Sequence, residues 1–366
     1  MHHPSWIDRG ELVYLSRRKT AVLSVVAAAG LLTACGSSGG GASTTSAAAS
    51  SSAPASSSAP ASSSAPAACD ATIGVSFYTE RIPIYATMHE GVQAAADKAG
   101  VKVTFADANG AAETQTNQIN NFVTQGVKAI IASPVDATAM VPAYKAARDA
   151  GVKMISAGNK VADADEDAFV GADLVAYAEQ TMEKLIEGIG GKGDIIIVSG
   201  PPQISFVQLQ QMGWDAALAK HPDVKVVATG VDEDLSTAKA IDVTTSLLTK
   251  NPNVKGIMSS TDNIGVGVVK AIEGAGLDTS KIYTAGWDAQ ADAVELVKQG
   301  KYTLTLSYLA YTWGEVAFAT ALDAACGKMP VSHYVLTPGL FIDAANAATL
   351  TPDQISGKDP SAIPAS

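Results

Sequence analysis

Residues 72–107 read "TIGVSFYTERIPIYATMHEGVQAAADKAGVKVTFAD". The stretch opens on a short β-branched run, "TIGVSF", and closes on another, "VKVTFAD". Between them Met88, Val92 and Ala95–Ala96 recur at helical spacing, which predicts a helix over 84–99. A strand, a helix and a strand in quick succession specify a parallel sheet covered by helices. Tyr78, Glu80, Arg81 and Tyr85 cluster where the first strand hands over to the helix. In an open α/β sheet that end of the strands is where ligands bind. The cluster is therefore read as one wall of a cleft. The other reading is a local ion pair with Tyr78 on a solvent loop.

The same period runs along the chain. Strands are expected at "VKAIIAS", "VKMISAG", "AFVGAD", "GDIIIVSG", "VKVVATGV", "VKGIMSST", "KIYTAGWD" and "YTLTLSYL". Helices are expected at 111–125, 137–150, 174–189, 204–220, 236–249, 263–275, 289–299 and 312–325. The series breaks near residue 173 and restarts with the same period, and one sheet of so many strands would be unusual. Two facing α/β lobes fit better.

The N-terminal part is not fold. "RRK" at 17–19 followed by "TAVLSVVAAAGLL" has the basic and apolar regions of an export signal. "LTAC" ends at Cys35 and resembles the lipobox of bacterial lipoproteins, whose cysteine is lipidated. Residues 1–34 are thus expected as a signal peptide, with 1–16 an over-long start to it. Residues 35–69 are almost wholly Gly, Ser, Thr, Ala and Pro, with "ASSSAP" at 55–60 and again at 61–66, and form a tether. The expected location is extracytoplasmic, lipid-anchored to the outer face of the cell membrane. The remaining cysteines, Cys69 and Cys326, invite a disulfide in an exported protein, the other reading being two free thiols.

Composition narrows the partners. The chain carries 36 Asp+Glu against 25 Lys+Arg, a formal net charge of −11. Beyond residue 70 the arginines are Arg81 and Arg148. Nucleic acid is a poor partner for such a surface. There is no phosphate loop, zinc pattern or nucleophile elbow. His89 lies inside a helix, His221 at a helix end and His333 in a late connection. No nucleophile has a base beside it, so no catalytic residue is assigned. The acidic run "DADED" at 163–167 lacks the spacing of a calcium loop and reads as a solvated turn. No cofactor and no metal is expected.

The segments "IIASPVD", "NPNVKGIMSSTDN" and "GWDAQADAVELVKQGK", taken with the strand–helix succession around them, resemble the ribose- and galactose-type periplasmic binding proteins of ABC importers over essentially all of 70–350. The resemblance implies an α/β fold of two doubly wound parallel-sheet lobes, of periplasmic-binding-protein type I. A three-strand hinge would join them, with the ligand cleft between. It divides the chain into a first lobe, 70–172 plus 309–337, a second lobe, 173–308 plus 338–350, and a tail, 351–366. Cys326 would then share a lobe with Cys69.

The matching segments place ligand-binding residues in both lobes. Tyr78, Arg81, Tyr85 and Asn159 come from the first; Gln203, Phe206, Gln208, Asp262, Asn263 and Asp288 from the second, with Trp287 beside them and Tyr308 at a crossover. Asp262 or Thr261 takes the spot after "MSS"; Asp288 binds hydroxyls or caps a helix; Asp173 serves a hinge or caps a helix. Tyr85 and Trp214 could equally be core. Two arginines of the family pattern are missing: Gly158 and Asn159 stand after "MISA", and Gln208 follows "SGPPQISF". The expected ligand is a neutral sugar, polyol or inositol rather than ribose. The expected role is capture by lobe closure and delivery to an ABC permease in the membrane, by a monomer. The alternative is a sensor of sugar or autoinducer type feeding a membrane receptor.

Overall fold

The computed structural model describes Cys69 and residues 71–162, 165–330 and 332–363. The export signal, Cys35 and the tether lie outside the described residues.

The first strand, β1 (Thr72–Phe77), is buried from Ile73 onward. Helix α1 (Pro83–Ala99) starts on a proline and stops at Gly100, whose φ of 66° closes the helix in the left-handed region. β2 (Lys102–Asp107), α2 (Ala112–Thr124), β3 (Ala129–Ala132), α3 (Val141–Asp149), β4 (Lys153–Ala157) and β5 (Ala168–Gly171) follow. α3 is shorter than the 137–150 expected. Asp136 Oδ1 accepts from the amides of Thr138 and Ala139, making a turn of the first residues. Pro142 then opens the helix proper.

The chain restarts with α4 (Leu174–Gly188), β6 (Gly193–Ser199), α5 (Ser205–Leu218), β7 (Val224–Val231), α6 (Thr237–Lys250), β8 (Gly256–Ser259), α7 (Asp262–Gly274), β9 (Tyr283–Trp287), α8 (Ala291–Lys298) and β10 (Leu304–Ser307). It ends with α9 (Ala310–Ala325), β11 (Tyr334–Leu336), β12 (Leu340–Asp343) and α10 (Pro352–Ser356).

Two six-stranded sheets result, ordered β11-β5-β4-β3-β1-β2 and β12-β10-β9-β8-β6-β7. The orders match strand for strand, so each lobe is a doubly wound sheet with its reversal beside the first strand. The sheets are not wholly parallel as expected: β12 runs antiparallel to β10 at the second sheet's edge. The chain passes between lobes three times, at 172–173, 308–309 and 337–339. Thr337 N donates to Gly171 O at 2.8 Å, tying the first passage to the third.

Within each lobe a helix pair approaches closely over glycine. A Cβ on Gly314 of α9 would meet Met88 O of α1 at 2.2 Å, and one on Gly213 of α5 would meet Val175 O of α4 at 2.3 Å. Cys69 and Cys326 form a disulfide with a Cα separation of 5.8 Å, joining the chain's entry to β1 with the end of α9.

The last residues pack rather than trail. Thr351 and Gln354 form a reciprocal capping box on α10. Ile355, Ala362 and Ile363 lie against a buried cluster that includes Leu309, Leu340 and Ala347. Ile355 O accepts from Ser307 Oγ at 2.5 Å, and Gly357 O from Thr312 Oγ1 at 3.0 Å.

Candidate functional site

The cleft is built at the carboxyl ends of β1, β4, β8 and β9, where chain order reverses and both lobes present loops. Tyr78, Ile82, Tyr85, Met88, Gly158, Asn159 and Trp313 line it from the first lobe. Leu174, Phe206, Leu235, Ser260, Thr261 and Asp288 line it from the second, with Tyr308 at the passage between. The cavity is narrow, about 40 Å³. The lobes touch beside it: Lys160 N donates to Ser205 Oγ at 2.9 Å and Ala137 N to Gln203 O at 3.4 Å. The lobes therefore stand nearly closed over the cavity.

Six of the residues singled out in the sequence meet here: Tyr78, Tyr85, Asn159, Phe206, Asp288 and Tyr308. Asn159 Nδ2 donates to Tyr85 Oη at 3.2 Å and to Pro134 O at 3.3 Å. Tyr78 stacks on Tyr85 with centroids 5.9 Å apart. Tyr308 is held between Trp287 and Trp313, at 5.8 and 4.8 Å. Burial raises the Tyr85 and Tyr308 hydroxyls far above the usual tyrosine range, and Asp288 adds to both shifts. Both rings are thus neutral hydrogen-bonding walls.

Asp288 follows β9 with a φ of 105°, a conformation few side chains adopt and Asp or Asn tolerate best. Its carboxyl accepts a long bond from Gln290 Nε2 at 3.5 Å and a backbone hydrogen bond from Asp262. Desolvation raises it well above the carboxylate range, and neighbouring Asp262 adds to the shift.

Six other residues of the expected set do not line the cavity. Asp262 is fully buried and turns beneath β9 instead of into the cleft. It accepts from Thr305 Oγ1 at 2.8 Å, Gln290 N at 3.0 Å and Tyr302 Oη at 3.2 Å. Gly286 leaves room for it, since a Cβ there would lie 2.9 Å from Asp262 Oδ1. Thr261, not Asp262, faces the cavity. Trp287 is wholly buried behind Tyr308. Asn263 Nδ2 holds Leu235 O at 3.1 Å, shaping the loop that lines the cleft without lining it. Gln208 Nε2 donates to Pro202 O at 2.8 Å, and Gln203 is exposed, meeting the first lobe through its carbonyl.

Arg81 is exposed and spans its own loop, from Nε to Thr79 Oγ1 and from a terminal nitrogen to Asn109 O, both 3.3 Å. Glu80 pairs instead with His89 Nδ1 at 2.6 Å, and His89 stacks on Phe105 at 3.6 Å. In the 78–91 stretch the acid and base shape the turn, while the aromatics face the cavity.

Other readings find their places. Trp214 is core, and Asp173 caps α4 by accepting from Ala176 N at the first passage. Of the acidic run, Asp165 pairs with Arg148, Asp167 with Lys153 and Arg148, and Glu166 with His333. Glu166 also accepts from Ser156 Oγ and Val161 N. Among the described residues no group of three or more His, Cys, Asp or Glu could hold a metal ion. The sequence reading passed over Trp313, whose ring closes the cleft from α9. The helix was expected to begin only one residue earlier, so nothing marked this position as part of the site.

Burial pushes Asp262 up to about 8, against the pull of its hydrogen bonds. The unfolded value is about 3.9. Between the two the folded chain keeps a proton that the unfolded chain has released, so stability falls as pH rises from about 4 to about 8. Asp288 contributes in the same direction. Asp262→Asn is expected to flatten this slope, by on the order of 1 kcal/mol per pH unit in mid-window. Urea denaturation at pH 5 and pH 8 measures it; an unchanged slope would show Asp262 ionised in the fold.

Residues 73–329 match the family described as periplasmic binding protein domain. The chain belongs to this periplasmic binding protein family. It is 26% identical over 258 residues to the ribose import binding protein of Bacillus subtilis, covering 70% of this chain and 82% of that one. It is 28% identical over 235 residues to the xylitol-binding protein of Mycolicibacterium smegmatis, covering 63% and 65%. An ABC transporter periplasmic solute-binding protein from Actinobacillus succinogenes, solved with bound D-allose, superposes with a TM-score of 0.71 at 27% identity, covering 76% of this chain and all of that one. These relatives are named for binding and transport, not for catalysis.

Proposed function

We propose that the protein is the solute-binding component of an ABC importer, capturing a sugar, polyol or inositol that carries no negative charge. The observation that carries this reading is the cleft itself. Two lobes joined by three passages bring Tyr78, Asn159 and Trp313 from one side against Phe206, Thr261 and Asp288 from the other, and no lysine or arginine is among the lining residues. Aromatic faces suit the C–H patches of a hydroxylated solute, and Asp288 suits its hydroxyl donors. A phosphate or dicarboxylate finds no clamp. The relatives named above for ribose and xylitol, and the one solved with bound D-allose, support the same class. Lipid on Cys35 and a tether to residue 69 would keep the lobes within reach of a permease. Ligand held by both lobes favours the closed form because only there do both touch it.

A thermal-shift screen of residues 69–366 against neutral, amino and phosphorylated sugars, polyols and inositols tests the class. An uncharged or cationic hydroxylated compound is expected to raise the melting temperature through linkage, with phosphorylated sugars inactive. Solution scattering should show compaction with the same compound. A shift from anionic compounds alone would overturn the reading.

A further inference from the structure

The cleft holds an acid, Asp288, with no lysine or arginine among the lining residues. Asp288 lies at the floor, held by Gln290 Nε2 at 3.5 Å and by a backbone hydrogen bond from Asp262, and no basic group acts on it. The basic side chains closest in sequence to the lining are engaged elsewhere. Arg81 spans Thr79 and Asn109, and Lys160 lies over the Tyr334 ring at 5.6 Å. An acid away from water and without a cation keeps its proton, and a cation brought beside it lets it ionise.

The rest of the lining leaves some hydrogen-bonding capacity for hydroxyls. Asn159 Nδ2 already serves Tyr85 Oη and Pro134 O, and Thr261 Oγ1 caps α7 through Ile264 N. Ser260 Oγ, which is buried at the cleft, has no partner among the described residues. The Trp313 indole N–H is likewise buried without a partner among the described residues, so the cleft offers a solute a few free donors beside the Asp288 oxygens and a broad aromatic surface. The protein as a whole carries a net charge of −11, which draws cations toward it.

We infer that the solute bears a protonated amine, an amino sugar or amino polyol, whose ammonium seats on Asp288. The inference rests on the proposed capture of a hydroxylated solute and adds its charge. An ammonium brings three donors and the missing cation to Asp288, and a positive charge to the faces of Tyr78, Phe206 and Trp313. The solute's hydroxyls are left for Ser260 and Asn159.

Isothermal titration calorimetry with matched sets decides it: glucosamine, galactosamine and mannosamine, each beside its parent hexose and its N-acetyl form. At least one free amine should bind about 30-fold tighter or more than both neutral counterparts, the scale of a desolvated charge pair. Asp288→Asn keeps a residue suited to the positive φ and should fold, as its far-ultraviolet spectrum and melting curve will show. In that variant the preference should shrink to a few-fold while neutral binding persists. A neutral hexose binding as tightly as its amine overturns the charge assignment and leaves the hydroxylated-solute reading intact. A preference that survives Asp288→Asn also overturns it. Binding by none of these compounds, nor by the neutral polyols and inositols, overturns the solute class itself.

Discussion

Gly314→Leu is expected to unfold the first lobe. α9 crosses α1 so closely that even a Cβ at 314 would stand 2.2 Å from Met88 O, 2.8 Å from Val92 N and 3.0 Å from Gly91 Cα. All three are backbone atoms, so no rotamer change relieves the clash. Gly91 meets the same constraint from the other side, its Cβ reaching Tyr311 O at 2.1 Å. The two helices would have to separate, opening a gap over a core that includes Met88, Val92, Ala317 and Phe318. Overpacking of this kind costs about 3 kcal/mol or more, a large part of a domain's stability. Urea unfolding should show the midpoint collapse, and the Gly213→Leu variant should do the same in the second lobe, where Val175 O is 2.3 Å away. A near-normal midpoint would mean that the helix pairs sit farther apart.

Removing the disulfide gives the second large effect. Cys69 and Cys326 lie 257 residues apart, and both ends belong to the first lobe. A link closing so long a loop restricts the unfolded chain strongly. Its loss, as in Cys69→Ser with Cys326→Ser, is expected to cost about 2–5 kcal/mol. The fold should survive, because the segment after Cys69 remains paired through β1 with both β2 and β3. Denaturation of the natural chain with and without reductant should reproduce the difference, and identical curves would show that the thiols are not joined in solution.

The strand–helix period was legible because each central strand is a short buried run flanked by amphipathic helices, as in β3, where all of Ala129–Ala132 is buried. The edges were not. "YVL" at 334–336 and "LFID" at 340–343 are too short to carry a period, and their partners, β5 and β10, lie far away in sequence or on the opposite lobe's side of a passage.

The site shows the same division. Residues at strand ends alternate between sheet faces, so neighbours in sequence have different fates. Trp287 enters the core while Asp288 faces the cleft; Thr261 faces the cleft while Asp262 turns under β9. Choosing within each pair needs the local backbone, including the positive φ of Asp288. Arg81 misled for another reason: a lone arginine beside aromatics resembles a ligand clamp, yet Thr79 and Asn109 engage it first.

The C-terminal residues bear on timing. Ser307 and Thr312 stand on opposite sides of the passage through Tyr308 and Leu309, and one short segment bonds to both, through Ile355 O and Gly357 O. Lys358 adds a contact over the Tyr311 ring at 5.7 Å. If the lobes rotate apart as the proposed capture requires, these two anchor points turn relative to each other, and a segment fastened to both cannot follow both. Parting the lobes would then strain or break a bond that lies outside the cleft. That cost would fall on every solute alike. It would lengthen the dwell of whatever is caught without altering which solute is preferred, so residence and selectivity would be set by separate parts of the chain.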